Sequence, residues 1–363
     1  MASSTTDRNA AAQRGREGVL RCAAIGVGRM GRHHARVYAQ LPDTQLVAVV
    51  DRDIERARDI AEQHGCEAVA SERELLDMGV DAVSIAVPTV AHESSATPLL
   101  ERGVACLIEK PLAQDAVAAG RMRDAAEKSG AVLMVGHIER FNPIMRAMQR
   151  ATSITGGSEP IVPRFMEVHR VSPMTFRSVD VGVVLDMMIH DLDVVLMLMG
   201  GQEPDEIHAS GVAVITEHED ICNARLTWRR AGPNRDKTCV ANVTASRLAL
   251  KTERVTRITG ENAYIKIDYG AKKGTIIRRT ANELQMEEVR EQLRSGADLT
   301  SLKWQELVNV EPLEIDDEEP IVSEIRSFVD AVRNGTPPPV DAGAGLANVR
   351  TAERIVRAIR ESM

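Results

Sequence analysis

From residue 19 to about residue 133, short continuous apolar runs alternate with amphipathic stretches. Residues 19–25, 45–50, 82–87, 104–108 and 131–135 are rich in Val, Ile and Ala, and so few polar residues interrupt them that they are predicted as strands buried on both faces. Residues 29–41, 54–64, 92–102 and 112–129 lie between these runs and are predicted as helices. Strand and helix alternating at this spacing predict βαβ units, hence an α/β Rossmann domain with a doubly wound parallel sheet over residues 19–140.

Near residue 141 the pattern changes. After a loop containing Thr155, Gly156, Gly157, Ser158 and Pro160, strand-like runs follow one another at 164–171, 206–215, 221–228, 238–247 and 254–259. They predict a C-terminal α+β domain over 141–340 with a mostly antiparallel sheet, interrupted by one apolar helix at 183–199. Helices predicted at 320–333 and 342–362 flank the linker Gly335-Thr336-Pro337-Pro338-Pro339, the second forming a C-terminal helix over 341–363. Residues 1–18 are rich in Ala, Ser, Thr and Arg and lack the apolar core of about 7–15 residues that a secretory signal needs; they are predicted as a disordered tail.

Composition narrows the function. The 363 residues are 44% hydrophobic and 27% charged, with 45 Lys+Arg against 53 Asp+Glu, which fits a globular protein of about two domains. Two Trp, three Tyr and four Phe leave few rings on which single-stranded nucleic acid could stack. The net charge of −8 supplies no basic stripe for a phosphate backbone, so a nucleic-acid partner is not expected. Cys22, Cys66, Cys106, Cys222 and Cys239 form no CxxC pair, which predicts small apolar fillers in a reducing cytosol rather than zinc ligands or a disulfide framework. No apolar run approaches the roughly 18–20 residues that span a bilayer, so a cytoplasmic protein without a membrane partner is expected.

The first strand runs into Gly26-Val27-Gly28-Arg29-Met30-Gly31, a GxGxxG motif, and then into a helix. Such a turn lets backbone approach a pyrophosphate, and the helix N-terminus supplies unpaired N–H groups to it. Asp51 lies twenty residues past Gly31 at the end of the second strand, where it can accept hydrogen bonds from ribose hydroxyls and repel a 2′-phosphate. NAD is therefore the expected cofactor; the adjacent Arg52 keeps NADP as an alternative, and FAD is disfavoured.

Other candidates cluster at strand ends. Glu109-Lys110-Pro111 follows the fourth predicted strand, and ligands of open α/β sheets bind beyond the carboxyl ends of strands. Lys110 is thus either a cleft lysine or an exposed one at a turn. Asp186 and His190 are four apart on the predicted apolar helix and share a face with Asp193; a carboxylate beside a His suits it for proton transfer. A structural His or a zinc or iron site are the competing readings, but the helix supplies only one His, so no metal is expected. His33 and His34 open the first helix, where packing and surface roles are expected. His92 follows Pro88-Thr89 and borders the cofactor. His137, Arg140 and Asn142 come just after the last Rossmann strand and suit either substrate contact or a hydrogen-bonded domain junction.

In order and spacing, the GxGxxG, Pro88-Thr89 with His92, Glu109-Lys110-Pro111 and the Asp186/His190 pair resemble the Gfo/Idh/MocA oxidoreductase family over nearly the whole chain. The resemblance implies an open C-terminal sheet used for substrate binding and dimerisation, in a homodimer or homotetramer. It implies Lys110 as the catalytic lysine, His190 as acid/base and Asp186 as its partner. Gly26, Gly28, Arg29, Met30, Gly31, Asp51, Arg52, Pro88, Thr89, His92, Glu109 and Lys110 become the expected cofactor contacts. The chain departs from the family in keeping only Gly182 before Asp186, with Met187 and Met188 filling the turn.

Gly136-His137-Ile138-Glu139-Arg140-Phe141-Asn142-Pro143 and residues 171–186 are similar to a nucleotide-sugar branch. That branch implies oxidation of the 3-hydroxyl of UDP-N-acetylglucosamine or a related nucleotide sugar, with a partner aminotransferase taking the keto sugar toward lipid A. Arg140 and Arg177 would meet the diphosphate, because a forked guanidinium suits phosphate oxygens. A free-polyol dehydrogenase of the myo-inositol type, an NAD-dependent glycosidase and a non-enzymatic sensor are the alternatives. Scarce aromatics imply recognition of the sugar by polar groups, not ring stacking.

Overall fold

The computed structural model describes residues 18–152, 161–176, 179–231, 237–261, 263–281, 283–298 and 303–362. The predicted tail, apart from Gly18, lies outside the described residues, and so does Arg177. Two compact units emerge: residues up to Phe141 with Leu192–Gln202 and Glu318–Arg357, and Asn142–Asp191 with Glu203–Asp317 and the residues from Ala358.

The first unit carries β1 (Leu20–Ile25), α1 (Gly31–Gln40), β2 (Thr44–Val50), α2 (Ile54–His64), β3 (Glu67–Val69), α3 (Glu72–Met78), β4 (Ala82–Ile85), α4 (His92–Glu101), β5 (Ala105–Glu109), α5 (Ala116–Ser129) and β6 (Leu133–Gly136). Its sheet has the order β3-β2-β1-β4-β5-β6 with every neighbouring pair parallel. This is the doubly wound Rossmann arrangement, whose ligand crevice opens where strand order reverses, beyond β1 and β4. Five strands were predicted and six are present; β3 has three residues, of which only Val69 is buried, so it leaves no apolar run to read. The helix predicted to begin at residue 112 begins instead at Ala116, because the Asp115 carboxylate accepts the Ala118 N–H and caps it there.

The second unit follows Asn142 with α6 (Pro143–Thr152), β7 (Pro163–Val171), α7 (Ile189–Leu198), β8 (Glu206–Val212), β9 (Ile221–Ala231), β10 (Lys237–Ser246), β11 (Glu253–Gly260), β12 (Ala263–Asp268), β13 (Lys273–Arg279), α8 (Glu283–Arg294) and β14 (Val308–Pro312). Helix α7 contributes to both units, the division falling after Asp191. Eight strands form a sheet of order β14-β13-β12-β11-β7-β10-β9-β8, antiparallel except where β7 meets β10. Cys222, Ala224, Leu226 and Trp228 of β9 and Cys239, Ala241, Val243 and Ala245 of β10 are buried, alternating with more exposed neighbours, which is the signature of a sheet covered on one face. The strand predicted over 206–215 stops at Val212. The buried Asp220 carboxylate takes the next free amides, from Val214 (2.9 Å), Ile215 (2.6 Å) and Thr216 (3.0 Å). Burial opposes ionisation of Asp220, but these donors hold its carboxyl far below the usual range.

Two further differences concern the end of the chain. Helices α9 (Pro320–Asn334) and α10 (Ala342–Ser362) form close to their predicted bounds, but α9 and α10 as far as Arg357 belong to the first unit. Ile321, Ile325, Phe328 and Val329 of α9, with Leu346 and Val349 of α10, join the apolar core of the Rossmann sheet and so pull the chain back to it.

Among these core residues of α9 sits an acid, Glu324, which is 0% exposed and, among the described residues, has no hydrogen-bond partner for either carboxyl oxygen. Burial, reinforced by the charge of Glu109, pushes its pKa well above the ordinary value. The folded chain therefore keeps a proton that the unfolded chain releases above about pH 4.3, and stability falls as pH rises from there toward the raised value. Glu324→Gln removes this titration. The loss of Tm between weakly acidic and weakly alkaline buffer should shrink in that variant, and an unchanged loss in thermal unfolding would speak against a neutral Glu324.

Candidate active site

The cofactor cradle is built from backbone contact. An added Cβ at Gly31 would lie 1.8 Å from the Gly26 carbonyl oxygen, and one at Gly26, whose φ is +78°, would meet the Ala86 carbonyl at 2.8 Å. Only hydrogen fits at either position. Gly28 has open space around its Cβ direction and lines a cavity of about 670 Å³ together with Gly26, Asp51, Arg52, Val87 and Pro88. Such a volume suits a cofactor or drug-sized ligand. Five of the expected cofactor contacts thus share one cavity wall. Arg56, which sequence reading missed, also lines it: its guanidinium lies 3.3 Å from both Asp51 oxygens and 2.9 Å from Asp53. Its place in the first turn of α2, three residues past the capping Asp53, was the available signal.

At the neighbouring strand ends the structure assembles a polar cluster. Lys110 follows β5 directly and is partly exposed. Glu109, expected at the cofactor, turns its carboxylate to His34 Nε2 (3.2 Å from Oε1) and to the Lys110 backbone amide (3.2 Å from Oε2). His34 Nδ1 in turn lies 3.0 Å from the Ser84 hydroxyl, which is 2.8 Å from that of Tyr38. His34 is therefore a buried polar hub and not a surface residue. Burial alone would raise the pKa of Glu109, yet the His34 hydrogen bond and the charges of His34 and Lys110 hold it below its ordinary value.

His137 directly follows β6, the strand beside β5, and is 1% exposed, with neither ring nitrogen hydrogen-bonded among the described residues. Burial lowers its pKa, so it stands neutral, in the electrostatic reach of Asp193, Arg140, Lys110 and Glu109. A ring with one donor and one acceptor and no protein partner suits a ligand hydroxyl.

Three expected ligand contacts are engaged elsewhere. Arg140, expected at a diphosphate, donates instead to both oxygens of Asp193 (2.7 and 2.6 Å) and to the Pro339 carbonyl (3.0 Å). The same bonds commit Asp193, which was expected to share a face with Asp186 and His190, to Arg140. The Asn142 side-chain oxygen accepts the Ile144 N–H at 3.2 Å, at the start of α6. His92 is buried, with Nε2 3.0 Å from the Val87 carbonyl and Nδ1 3.0 Å from that of Pro111. It ties a wall of the cavity to the segment after Lys110 without facing the cavity. Burial lowers its pKa in spite of these carbonyls.

In the second unit the predicted helix over 183–199 opens as a π-helical turn at Val184–Met188, which holds Asp186, and continues as α7 with His190 in its first turn. The π turn packs on β10. Wider turns of this kind are frequent at functional sites. Asp191 is anchored by Arg170 of β7, which donates to both its oxygens at 2.7 and 2.9 Å, so the residue next to His190 is locked to the sheet. Among the described residues no group of three or more His, Cys, Asp or Glu is arranged to hold a metal ion, and no helix is long and apolar enough to cross a membrane.

Residues 20–137 match the family model described as oxidoreductase family, NAD-binding Rossmann fold, and residues 175–363 match that of the family's C-terminal alpha/beta domain. The chain belongs to the Gfo/Idh/MocA oxidoreductase family. UDP-N-acetylglucosamine 3-dehydrogenase of Acidithiobacillus ferrooxidans is 38% identical over 250 residues, covering 69% of this chain and 74% of that protein. Its solved structure aligns with a TM-score of 0.79 at 31% identity, over 94% of this chain and 98% of the other. The scyllo-inositol 2-dehydrogenase (NAD(+)) of Bacillus subtilis is 30% identical over 50% of this chain and 55% of that protein. Levoglucosan dehydrogenase, solved with NADH and levoglucosan, shares the fold with a TM-score of 0.76 at 18% identity, over 95% of this chain and 98% of the other.

In this oxidoreductase the first unit is the NAD-binding domain, and the glycine cradle with Asp51 fits the dinucleotide. With Asp51→Ala, Arg52 and Arg56 are left facing the cavity without the repelling carboxylate. The ratio of kcat/KM for NAD to that for NADP should then fall by about tenfold or more, as loss of one or two charged hydrogen bonds predicts. Arg140→Ala, by leaving Asp193 buried and unpaired, should cost about 3–5 kcal/mol of stability. A normal Tm with a raised KM for the sugar would return Arg140 to the substrate.

Proposed function

We propose that the protein oxidises a sugar hydroxyl to a ketone with NAD, and that its substrate is UDP-N-acetylglucosamine or a related nucleotide sugar, oxidised at C3. The substrate reading is carried by the 38% identity with a UDP-N-acetylglucosamine 3-dehydrogenase over 74% of that protein. NAD supplies the hydride acceptor. Its phosphates would rest on Gly26, Gly28 and the start of α1, and its ribose hydroxyls on Asp51.

His190 takes the hydroxyl proton, Asp186 orients the imidazole, and Lys110 stabilises the developing alkoxide by its charge. His137, a neutral ring without a protein partner, hydrogen-bonds the sugar. A 3-keto sugar is a substrate for transamination, so an aminotransferase is the natural next enzyme. A free-polyol dehydrogenase is the second reading, supported by inositol 2-dehydrogenase of Rhizobium meliloti, 24% identical over 94% of this chain and 97% of that protein.

Positioned proton transfer contributes about 10²–10⁴-fold, so His190→Ala should lower kcat by that factor, measured as NADH formation. Near-wild-type turnover would remove His190 from the chemistry. With NAD and a panel of UDP-sugars and free polyols, NADH and a keto product identified by mass spectrometry should form with UDP-N-acetylglucosamine. Turnover of myo-inositol with the UDP-sugars silent would establish the second reading instead.

A further inference from the structure

The cluster under Lys110 contains two nearly buried carboxyl groups with opposite fates. Glu109, with 12% of its side chain exposed, has a donor on each oxygen: the His34 ring on Oε1 and the Lys110 amide on Oε2. Glu324, on α9, has no donor on either oxygen. A carboxylate without donors is not sustained in an apolar interior, whereas one with two donors and a cation beside it is. The buried pocket therefore holds a single negative charge, and it is placed on the residue whose main chain continues into Lys110.

The residues that deliver the donor to Glu109 belong to other elements. His34 is in the first turn of α1 and is itself held through Ser84 on β4 and Tyr38 farther along α1. None of these groups lines the NAD cavity. Among the described contacts they meet the site through Glu109.

We propose that His34 and Glu109 are positioning residues for Lys110: the Glu109 carboxylate, fixed by His34, clamps the Lys110 main chain at the end of β5 and serves as the fixed counter-charge of its ammonium group. This rests on the reading of Lys110 as the group that stabilises the alkoxide. The titratable or charged groups around it include Glu109, His34 and Tyr38, with Glu324 from α9 and His137 just after β6, beyond which stand Arg140 and Asp193. Of these, Glu109 is a carboxylate whose charge interacts with that of Lys110, while burial favours the neutral forms of His137 and Glu324 and Arg140 donates to Asp193.

The test reads Lys110 directly in the full-length protein. Trace acetylation with acetic anhydride over a range of pH, quantified by mass spectrometry of the peptide bearing Lys110, gives the titration midpoint of its amine. Glu109→Gln should lower that midpoint by roughly one pH unit or more, as loss of an adjacent opposite charge does. His34→Leu should lower it in the same direction, and His34→Gln, which keeps a donor toward Glu109, should restore it toward wild type. The two His34 variants carry the test should Glu109→Gln fail to fold. A midpoint unchanged in Glu109→Gln and His34→Leu overturns the proposal. Lys110→Ala, assayed for turnover, tests the underlying reading separately: full activity there would remove Lys110 from catalysis, while a shifted midpoint would still establish the clamp.

Discussion

The end of β1, the start of α1 and the segment after β4 meet backbone to backbone, and that contact governs most of the first unit. The Cβ positions that cannot exist at Gly26 and Gly31 measure how close it is, 2.8 Å from Ala86 and 1.8 Å from Gly26 respectively. Such closeness is usually explained by the pyrophosphate it admits. Here it has a second consequence. It fixes the axis of α1 against β4 and β5, so that His34, three residues beyond Gly31, reaches Ser84 and Glu109 inside the sheet. One glycine turn therefore shapes both the nucleotide cavity and the polar cluster behind Lys110.

The treatment of buried charge is consistent across both units. Arg140 with Asp193 and Arg170 with Asp191 are sealed from water as two-pronged pairs, and Asp220 is sealed among amides beside Arg247. Glu324 and His137 have no such partners, and burial drives each to its neutral form. The two pairs anchor the chain just after His190, at Asp191 and Asp193 on either side of Leu192. Truncating one member of such a pair strands the other, so they hold this stretch more firmly than their modest net contribution to stability suggests.

The parts of the fold legible in the sequence were those whose physics is local. Strands buried on both faces read as apolar runs, α2 was predicted at its observed bounds, and the change from parallel to antiparallel sheet was visible near residue 141. β3, β12, β13 and β14 were missed because short or half-exposed strands intersperse polar residues and leave no run. Ile265, Ile267 and Ile276 are the buried faces of such strands. The membership of α9 in the first unit depends on contacts some two hundred residues apart in sequence, which no local pattern records. At the site, residue types at strand ends singled out groups that the structure brings together, but not which partner each would take. Arg140 and Asn142 were legible as polar groups near a cleft; that Asp193 and the first turn of α6 would engage them was not. His34 was expected in packing or surface roles, and which of the two it would take was not legible for the same reason.

The aromatic economy of the chain bears on recognition. Tyr38, Phe141, Trp228, Tyr269 and Phe328 are consumed by the cores, leaving the site no large ring among those five. Phe176 is 73% exposed at a positive φ of 53°, a conformation an L side chain rarely adopts without a local reason. It immediately precedes Arg177. On the proposed reading a sugar would depend on hydrogen bonds from His137 and on charge from Lys110. Polar recognition of this kind discriminates by leaving buried groups unpaired when the wrong sugar binds, and so can separate substrates that differ by a single hydroxyl.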